Sequence, residues 1–256
     1  MDAAGVGESG GPSRQGEQGD HGRRVAGMFG RIAGWYDFLN HFLSLGLDLV
    51  WRRRLVSHLA PLAASDRLVV LDLAAGTLDV TRAILRRYPG ARVAAMDFAL
   101  PMLRRGQGKL SGSERSAVLT GLADGRELPL KDACVDGVTI AFGIRNILPR
   151  PRAHAEILRV LRPGGRYCIL EFGAGRKRIL KGLYNFYLNR LLPLLGRIIS
   201  GDDQAYRYLA ETIKAFPDER ELDAELRQSG FDRIFHEPLA WGIVFIHVAE
   251  KKGAGE

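Results

Sequence analysis

The stretch at residues 69–81, VVLDLAAGTLDVT, joins an apolar run to an acid, a group of small residues and a second acid. The apolar run predicts a buried strand that ends at Asp72. Ala74, Ala75 and Gly76 have small side chains, so a ligand can approach the backbone of this loop closely. The G-x-G-x-x-G fingerprint of dinucleotide-binding folds is absent from the stretch.

The next residues predict the start of a helix. Thr77 and Asp79 are both residue types that cap helix N-termini, where free N–H groups can bind a carboxylate. Asp72 could face an ammonium group at the same place. An amino-acid moiety, which carries both charges, suits this loop better than a pyrophosphate. An ordinary strand-to-helix turn uses the same small residues, so the loop alone leaves both interpretations open.

Two further acids fit a nucleoside. Asp97 ends the stretch VAAMD, about 20 residues after the first loop, the spacing at which a carboxylate can accept both ribose hydroxyls. NAD enzymes also have this acid, so it does not identify the nucleoside. In ADGRELPL, Asp124 can accept a hydrogen bond from an adenine amino group, with the Gly125 backbone beside it. The three loops together can hold a methionine moiety, a ribose and an adenine.

The elements around these loops alternate between strand and helix. Strands are predicted over 67–73, 91–97, 116–123, 134–143 and 166–172, and helices over 79–89, 99–110 and 151–164. This alternation predicts an α/β fold with a parallel sheet and helices on both faces. Two last strands, 231–240 and 242–251, are predicted to form an antiparallel hairpin. Seven strands with a terminal hairpin resemble the class I methyltransferases, a Rossmann-like fold.

The remaining segments differ in composition. Residues 1–24 are rich in Gly, Ser, Gln and charge, which predicts a disordered tail. The main domain is expected over 25–252, with a helical cap at 25–64 and a helical insertion at about 176–229, after strand five. Residues 253–256 are expected to be a flexible C-terminus.

Composition limits the classes of function. The 37 Lys and Arg residues against 29 Asp and Glu residues give a net charge of +8, which indicates an anionic partner or simply a solvated basic face. Cys134 and Cys168 lie far apart and His is sparse, so neither a disulfide framework nor a zinc site is supported. No stretch resembles a signal peptide or reaches the ~20 apolar residues of a membrane span. We therefore expect a cytoplasmic protein with two buried thiols, and leave peripheral contact with the inner membrane face open.

Five stretches carry a family resemblance: VAGMFGRIAGWYDFLN, LDLAAGTLDVT, AFGIRNI, EILRVLRPGGRYCILEF and AYRYLAETIKAFPDERELDAELRQSGF. Between about residues 25 and 250 the chain resembles the UbiE/MenG family of quinone C-methyltransferases, which use S-adenosylmethionine (SAM). FGIRN and YRYLAETI are much more specific to this family than the SAM loops. The resemblance implies methyl transfer from SAM to a ring carbon of a polyprenylated quinol, with demethylmenaquinol favoured over a ubiquinol precursor. It implies SAM contacts at Thr77, Asp97, Asp124 and Gly125.

The chain departs from the family pattern at two positions. The family loop usually reads G-T-G-D, and here Leu78 replaces the second glycine. Some members carry a serine before FG that contacts SAM, where this chain has Ala141. Leu78 needs a pocket of its own or a slightly shifted loop. Neither change removes a charged contact, so we expect an active enzyme with altered SAM binding.

Methylation of a ring carbon requires in-line alignment, removal of a phenol proton and stabilisation of the phenolate; it needs no metal and no covalent intermediate. Arg145 keeps its proton near neutral pH, so it is predicted to stabilise the phenolate, with Asn146 orienting the second hydroxyl. A structural turn with a salt bridge is the alternative. The base is left open between Tyr36, Asp37, His247 and a water-mediated proton loss.

The predicted insertion mixes Leu, Ile and aromatic residues with Arg and Lys at residues 179–199. Such a helix can cover a prenyl tail or lie at a membrane surface, or it can pack on the core or at a homodimer interface. Two other functions stay open: a SAM-dependent methyltransferase for RNA or another small molecule, and a non-catalytic SAM-binding protein. An NAD oxidoreductase is disfavoured by the missing glycine fingerprint, and no nucleic-acid partner is expected.

Overall fold

The structure, a computed structural model, describes residues 27, 30, 44, 46–63, 67–173 and 203–255. The predictions for the tail at 1–24 and for most of the cap at 25–64 lie outside the described residues, as does the first half of the insertion. Tyr36 and Asp37, two of the candidate bases, lie there as well.

Within the described residues, seven strands form one sheet in the order β3-β2-β1-β4-β5-β7-β6. The strands are β1 Val69–Leu73, β2 Arg92–Asp97, β3 Val118–Leu122, β4 Val135–Ala141, β5 Leu161–Phe172, β6 Ile234–Leu239 and β7 Val244–Glu250. Strands β1 to β5 pair in parallel, whereas β7 is antiparallel to both β5 and β6. This confirms the predicted parallel sheet with a terminal hairpin.

Helices lie on both faces of the sheet. They are α1 Leu47–Ser57, α2 Asp79–Arg87, α3 Leu100–Lys109, α4 Gly112–Ala117, α5 Arg150–Val160, α6 Asp203–Ala215 and α7 Glu219–Gln228. The sheet separates two apolar cores. One core joins Leu55 of α1 and Ile84 of α2 to the strands, and the other joins Ile157 of α5 and Leu226 of α7 to them. Since successive strand residues face opposite sides, the near-continuous apolar runs fill both cores.

The predicted helix over 151–164 is wrong at its C-terminal end. Helix α5 ends at Val160, and the LRPG segment belongs to β5. Pro163 disfavours the helical conformation of the residue before it, and Gly164 has a φ of +76°, so this segment cannot continue the helix.

The prediction of a strand at residues 116 and 117 is also wrong, because these residues form the C-terminal end of helix α4. The sequence carried the signal for this helix in a capping box. Ser111 accepts a hydrogen bond from the Glu114 backbone, and the Glu114 side chain bonds back to the Ser111 backbone.

The described half of the insertion forms helices α6 and α7, as predicted. No helix in the described part of the chain is long and apolar enough to cross a membrane. Both cysteines are free thiols. Cys168 is fully buried as expected, whereas Cys134 is only half-buried, so the expectation of two buried thiols is wrong for Cys134. Burial raises the pKa of Cys168 to about 12, so this thiol is an apolar core group.

Candidate active site at the carboxyl edge of the sheet

The loops that follow β1, β2, β3 and β4 meet at one edge of the sheet. A Cβ added to Gly143 would lie 2.5 Å from the Ala74 Cβ, so the loops after β4 and β1 are in contact. The Ala75 N–H donates to the Met96 carbonyl at 3.0 Å, and the Ala123 N–H donates to the Asp97 carbonyl at 3.1 Å. These contacts make one continuous surface at the place where open α/β sheets bind ligands.

Backbone strain accumulates in the same loops. Ala74, Leu78 and Phe142 have φ angles of 54°, 65° and 57°, in the left-handed region that L-residues rarely adopt. Such conformations persist where packing fixes them, and they are common at binding sites. In this protein they fix the turns directly after β1 and β4.

Asp97 joins two of the loops. Its Oδ2 accepts the Gly76 N–H at 2.8 Å, and its Oδ1 accepts the Ala99 N–H at 2.7 Å. Burial raises the pKa of Asp97, although hydrogen bonds from the backbone N–H groups of Ala99, Gly76 and Phe98 act in the opposite direction. A carboxylate has about four acceptor positions, more than these backbone donors use, so Asp97 can still accept from a hydroxyl group of a ligand.

Asp72 is the penultimate residue of β1 rather than its end, and it is almost fully buried. It accepts hydrogen bonds from the hydroxyls of Thr81 at 2.6 Å and Thr139 at 3.0 Å. Among the described residues no cation pairs with it. A buried carboxylate whose partners are two hydroxyls and the Thr81 backbone N–H, all of them neutral, suits a cationic ligand group.

Helix α2 begins at Asp79, and its N-cap residue is Leu78, whose side chain makes no capping bond. The prediction that Thr77 or Asp79 caps this helix is therefore wrong. Asp79 instead accepts a hydrogen bond from Lys109 of α3 at 2.9 Å, and Thr77 is buried in the loop. The first turn still points its N–H groups toward the carboxyl edge of the sheet.

Leu78 has a pocket of its own, one of the two outcomes expected for it. The side chain is fully buried, and it packs against Gly106 of α3, where an added Cβ would lie 2.4 Å from the Leu78 Cγ. The same Cβ would lie 2.8 Å from the Thr77 carbonyl carbon. The loop conformation therefore depends on a glycine in the neighbouring helix.

Gly106→Ala is expected to lower the free energy of unfolding by about 1–3 kcal/mol, because the new methyl group overlaps Leu78 and the Thr77 backbone. SAM affinity should fall as well, since the loop has to shift. Gly108→Ala is the matched control, because its Cβ would meet nothing within 4 Å on the same helix. Thermal melting and calorimetry measure both effects. Equal stability and equal SAM affinity in the two variants would contradict the packing role of Gly106.

Asp124 and Gly125 follow β3. Arg126 donates to both Asp124 carboxylate oxygens, at distances from 2.6 to 3.1 Å. Burial raises the pKa of Asp124, but the hydrogen bonds and charge of Arg126 outweigh it, and the pKa lies below its ordinary value. A Cβ on Gly125 would lie 2.8 Å from the Ile147 side chain, so this backbone fits closely against the loop after β4.

Arg145 lies in a 3-10 turn, Ile144–Asn146, directly after β4, and it is buried. Its Nη1 donates to Glu171 Oε1 at 2.6 Å, and its guanidinium lies 5.7 Å from the centre of the Phe172 ring. Within the described residues, its Nε and the Glu171 Oε2 have no hydrogen-bond partner. Burial raises the pKa of Glu171, and the charge of Arg145 opposes this. The salt bridge that was the structural alternative for Arg145 is therefore present, and it leaves the Nε donor of the guanidinium unused.

Asn146 connects this turn to helix α6. Its Oδ1 accepts a hydrogen bond from the hydroxyl of Tyr208 at 3.1 Å. Tyr208 belongs to the YRYLAETI stretch, so the contact joins the two most family-specific segments of the chain. Burial raises the pKa of Tyr208, which keeps it a neutral donor at physiological pH.

His247 is not brought to these loops. It pairs with Ile169 in the sheet, three residues before the end of β5, or roughly 10 Å from that edge. Its Nε2 lies 3.2 Å from the Glu219 carbonyl oxygen of α7. Burial lowers the pKa of His247 to about 4, and the charge of Asp223 acts in the opposite direction.

Three residues of the site were not singled out from the sequence. Glu171 lies in an apolar run from which only a strand was predicted. An acidic residue at the carboxyl end of a predicted strand is the feature that could have identified it as a site residue. Phe98, next to Asp97, exposes 43% of its surface beside the predicted nucleoside site. Tyr208 lies in a quoted motif, but its contact with Asn146 is not visible in the sequence.

The model of the ubiE/COQ5 methyltransferase family matches residues 17–251 of the chain. The demethylmenaquinone methyltransferase of Thermus thermophilus is 44% identical over 230 residues, which cover 88% of this chain and 100% of that protein. The ubiquinone/menaquinone biosynthesis C-methyltransferase UbiE of Geobacter sulfurreducens is 40% identical over 234 residues, which cover 91% of this chain and 90% of that protein.

Solved structures share the fold at much lower identity. A SAM-dependent methyltransferase from Thermotoga maritima superimposes with a TM-score of 0.59 at 15% identity, covering 88% of this chain and 98% of that one. A phosphoethanolamine N-methyltransferase 2 from Haemonchus contortus, solved with SAM, gives a TM-score of 0.55 at 14% identity, covering 72% of this chain and 49% of that one. These likenesses show the architecture alone.

Proposed function

Because the chain belongs to the ubiE/COQ5 methyltransferase family, we propose that it methylates a ring carbon of demethylmenaquinol. The family and the relatives make it a SAM-dependent C-methyltransferase of quinone biosynthesis. The observation that favours the menaquinone precursor is the demethylmenaquinone methyltransferase from Thermus thermophilus, matched over its whole length at 44% identity.

The residues at the carboxyl edge fit SAM in charge and shape. SAM supplies an electrophilic methyl group on a sulfonium. In our proposal Asp72, which lacks a cationic partner within the described residues, faces the ammonium group of SAM. Asp97 accepts the ribose hydroxyls, and Asp124, held by Arg126, accepts from the adenine amino group. The backbone at Gly76 gives the methionine moiety room, since an added Cβ there would meet nothing closer than 3.7 Å.

The turn after β4 carries the proposed substrate chemistry. The Arg145 guanidinium stabilises the phenolate of the quinol as charge develops, and Glu171 holds it in place. Asn146, fixed by Tyr208, orients the second quinol hydroxyl. We propose that the phenol proton is accepted by Tyr36, Asp37, His247 or a water molecule. His247 is the weakest of the three side chains, because it lies beneath α7 and away from the loops.

Incubation with methyl-labelled SAM and short-chain, chemically reduced substrates tests the function. We expect label in the ring of demethylmenaquinol and slower transfer to a demethoxyubiquinol-type quinol. The oxidised quinone is the matched control and should accept no methyl group, because its ring carbon is not nucleophilic. Faster transfer to the ubiquinol precursor would overturn the substrate assignment. SAM binding without transfer to either quinol would favour a non-catalytic SAM-binding protein.

SAM affinity is expected to fall as the pH drops below about 6, because burial raises the pKa of Asp72 to about 6. An ammonium group favours the ionised carboxylate, so affinity is constant well above this pKa and declines as Asp72 takes up a proton below it. Calorimetric titrations on both sides of that pKa measure the effect. Asp72→Asn should bind SAM more weakly at neutral pH and lose most of the pH dependence. Identical pH profiles for the two proteins would remove Asp72 from the site.

We propose in addition that the prenyl chain of the substrate is delivered at a membrane surface. The support is the sequence of residues 179–199, where one Lys and two Arg lie among apolar and aromatic residues. Sedimentation with vesicles containing anionic lipid, compared with neutral vesicles, tests this contact.

A further inference from the structure

A cluster of three metal-ligating residue types lies away from the active-site loops. Asp223 comes from helix α7, His236 from β6 and His247 from β7, and we name these three residues the His–Asp–His cluster. His236 and His247 are direct cross-strand partners, and their ring centres lie 5.5 Å apart. The α7 helix packs over this hairpin, which places the Asp223 carboxylate between the two imidazoles.

The distances within the cluster suit a shared ion. Asp223 Oδ2 lies 2.8 Å from His236 Nδ1, and Asp223 Oδ1 lies 3.8 Å from His247 Nε2. One ligand atom from each residue can be chosen so that all three lie within 4.8 Å of one another. Ligands at about 2.1 Å from a tetrahedral metal are roughly 3.4 Å apart, so small side-chain rotations suffice.

The cluster also contains unsatisfied polar atoms. Within the described residues, Asp223 Oδ1 and His247 Nδ1 are buried and have no hydrogen-bond partner. The bond between His236 and Asp223 accounts for Oδ2 but leaves Oδ1 without a donor. A buried carboxylate oxygen without a partner is costly, and a bound cation would satisfy it. The Glu219 carbonyl oxygen near His247 Nε2 can only accept a hydrogen bond, so without a metal Nε2 carries the proton and the unpartnered Nδ1 carries the lone pair.

The ligand set selects a class of metal. Two imidazole nitrogens and one carboxylate favour Zn²⁺ and similar late first-row ions over Mg²⁺ and Ca²⁺, which prefer oxygen ligands. His247 and Asp223 are closed off from solvent, whereas the His236 side chain is 29% exposed, so an ion can enter beside His236. The cluster links α7 to the terminal hairpin and lies roughly 10 Å from the edge where SAM is proposed to bind.

We propose that the His–Asp–His cluster binds a divalent transition metal of the Zn²⁺ class, with a structural role in holding α7 on the hairpin. The proposal does not depend on the quinol as substrate, and no step of methyl transfer passes through the ion.

Titration of chelator-treated full-length protein with Co²⁺ and with Zn²⁺ tests the site. We expect one Co²⁺ per chain with visible d–d absorption, competition by Zn²⁺, and a melting temperature that rises with Zn²⁺. His236→Gln and Asp223→Asn should each weaken Co²⁺ binding at least tenfold. His58→Gln is the matched control, because His58 is half-buried and bonded to Glu237 outside the cluster, and it should bind like the parent.

Absence of Co²⁺ and Zn²⁺ binding by the parent at micromolar concentrations would overturn the site. Unchanged Co²⁺ binding in His236→Gln would show that the metal binds elsewhere in the chain, and this result would also overturn the proposed site. His236 is half-buried rather than part of the core, so this variant stays informative if Asp223→Asn fails to fold.

Discussion

Asp97→Ala is expected to raise the SAM dissociation constant by roughly 10- to 100-fold. The wild-type carboxylate holds the Gly76 and Ala99 backbone N–H groups, and in our proposal it also accepts two ribose hydroxyls. The alanine variant loses these charge-assisted bonds, together worth about 1.5–3 kcal/mol, and it frees the loop that faces the methionine moiety. Calorimetry with SAM measures the change directly.

Asp79→Ala is the matched control for Asp97→Ala. Asp79 is an acid of the same loop region, but its partner is Lys109 on the partly exposed side of α3. Its loss is expected to change SAM affinity less than threefold, because a partly exposed pair contributes about 1 kcal/mol or less to stability and does not touch the ligand. Asp97→Asn, which keeps one acceptor oxygen, should fall between the two. Unchanged SAM affinity in Asp97→Ala would exclude Asp97 from the binding site.

Site residues that lie at the carboxyl ends of the strands could be identified from the sequence alone. Asp72, Asp97 and Asp124 each come at or just after an apolar run, and the carboxyl ends of parallel strands necessarily meet at one edge. The alternation of short apolar runs and amphipathic segments was enough to predict the sheet and its terminal hairpin. The helix before β3 was missed although its capping box was visible, because the predicted strand was extended too far toward its N-terminal end.

Contacts between distant segments could not be predicted in this way. The Arg145–Glu171 ion pair joins the ends of two strands, and nothing in either stretch specifies the partner. The pocket for Leu78 depends on a glycine in α3, since only the folded chain shows that Gly106 faces the loop. Asp223, His236 and His247 show no metal-ligand spacing, because a helix and a hairpin bring them together. Side-chain partners of this kind are set by tertiary packing, which local patterns do not encode.

Arg145→Ala is expected to lower the single-turnover rate by about 10²- to 10³-fold, as observed on removal of other donors that stabilise a developing oxyanion. SAM affinity should change less than threefold, because Arg145 is assigned to the quinol oxygen rather than to the cofactor. The buried ion pair adds a second effect. Loss of Arg145 leaves Glu171 buried without its charged partner, which is expected to cost about 3–5 kcal/mol of folding stability.

The double variant Arg145→Ala/Glu171→Gln separates these two effects. Glutamine removes the buried charge at residue 171, so the double variant should recover much of the melting temperature that Arg145→Ala loses. It should not recover the rate, because no guanidinium faces the phenolate. Arg145→Lys should restore the rate only partly, since an ammonium group cannot pair with Glu171 and reach the substrate with a planar fork. Melting temperature, SAM dissociation constant and single-turnover rate are measured on the same preparations. A folded, SAM-binding double variant that transfers methyl groups at a near-normal rate would show that Arg145 serves the fold and not the reaction.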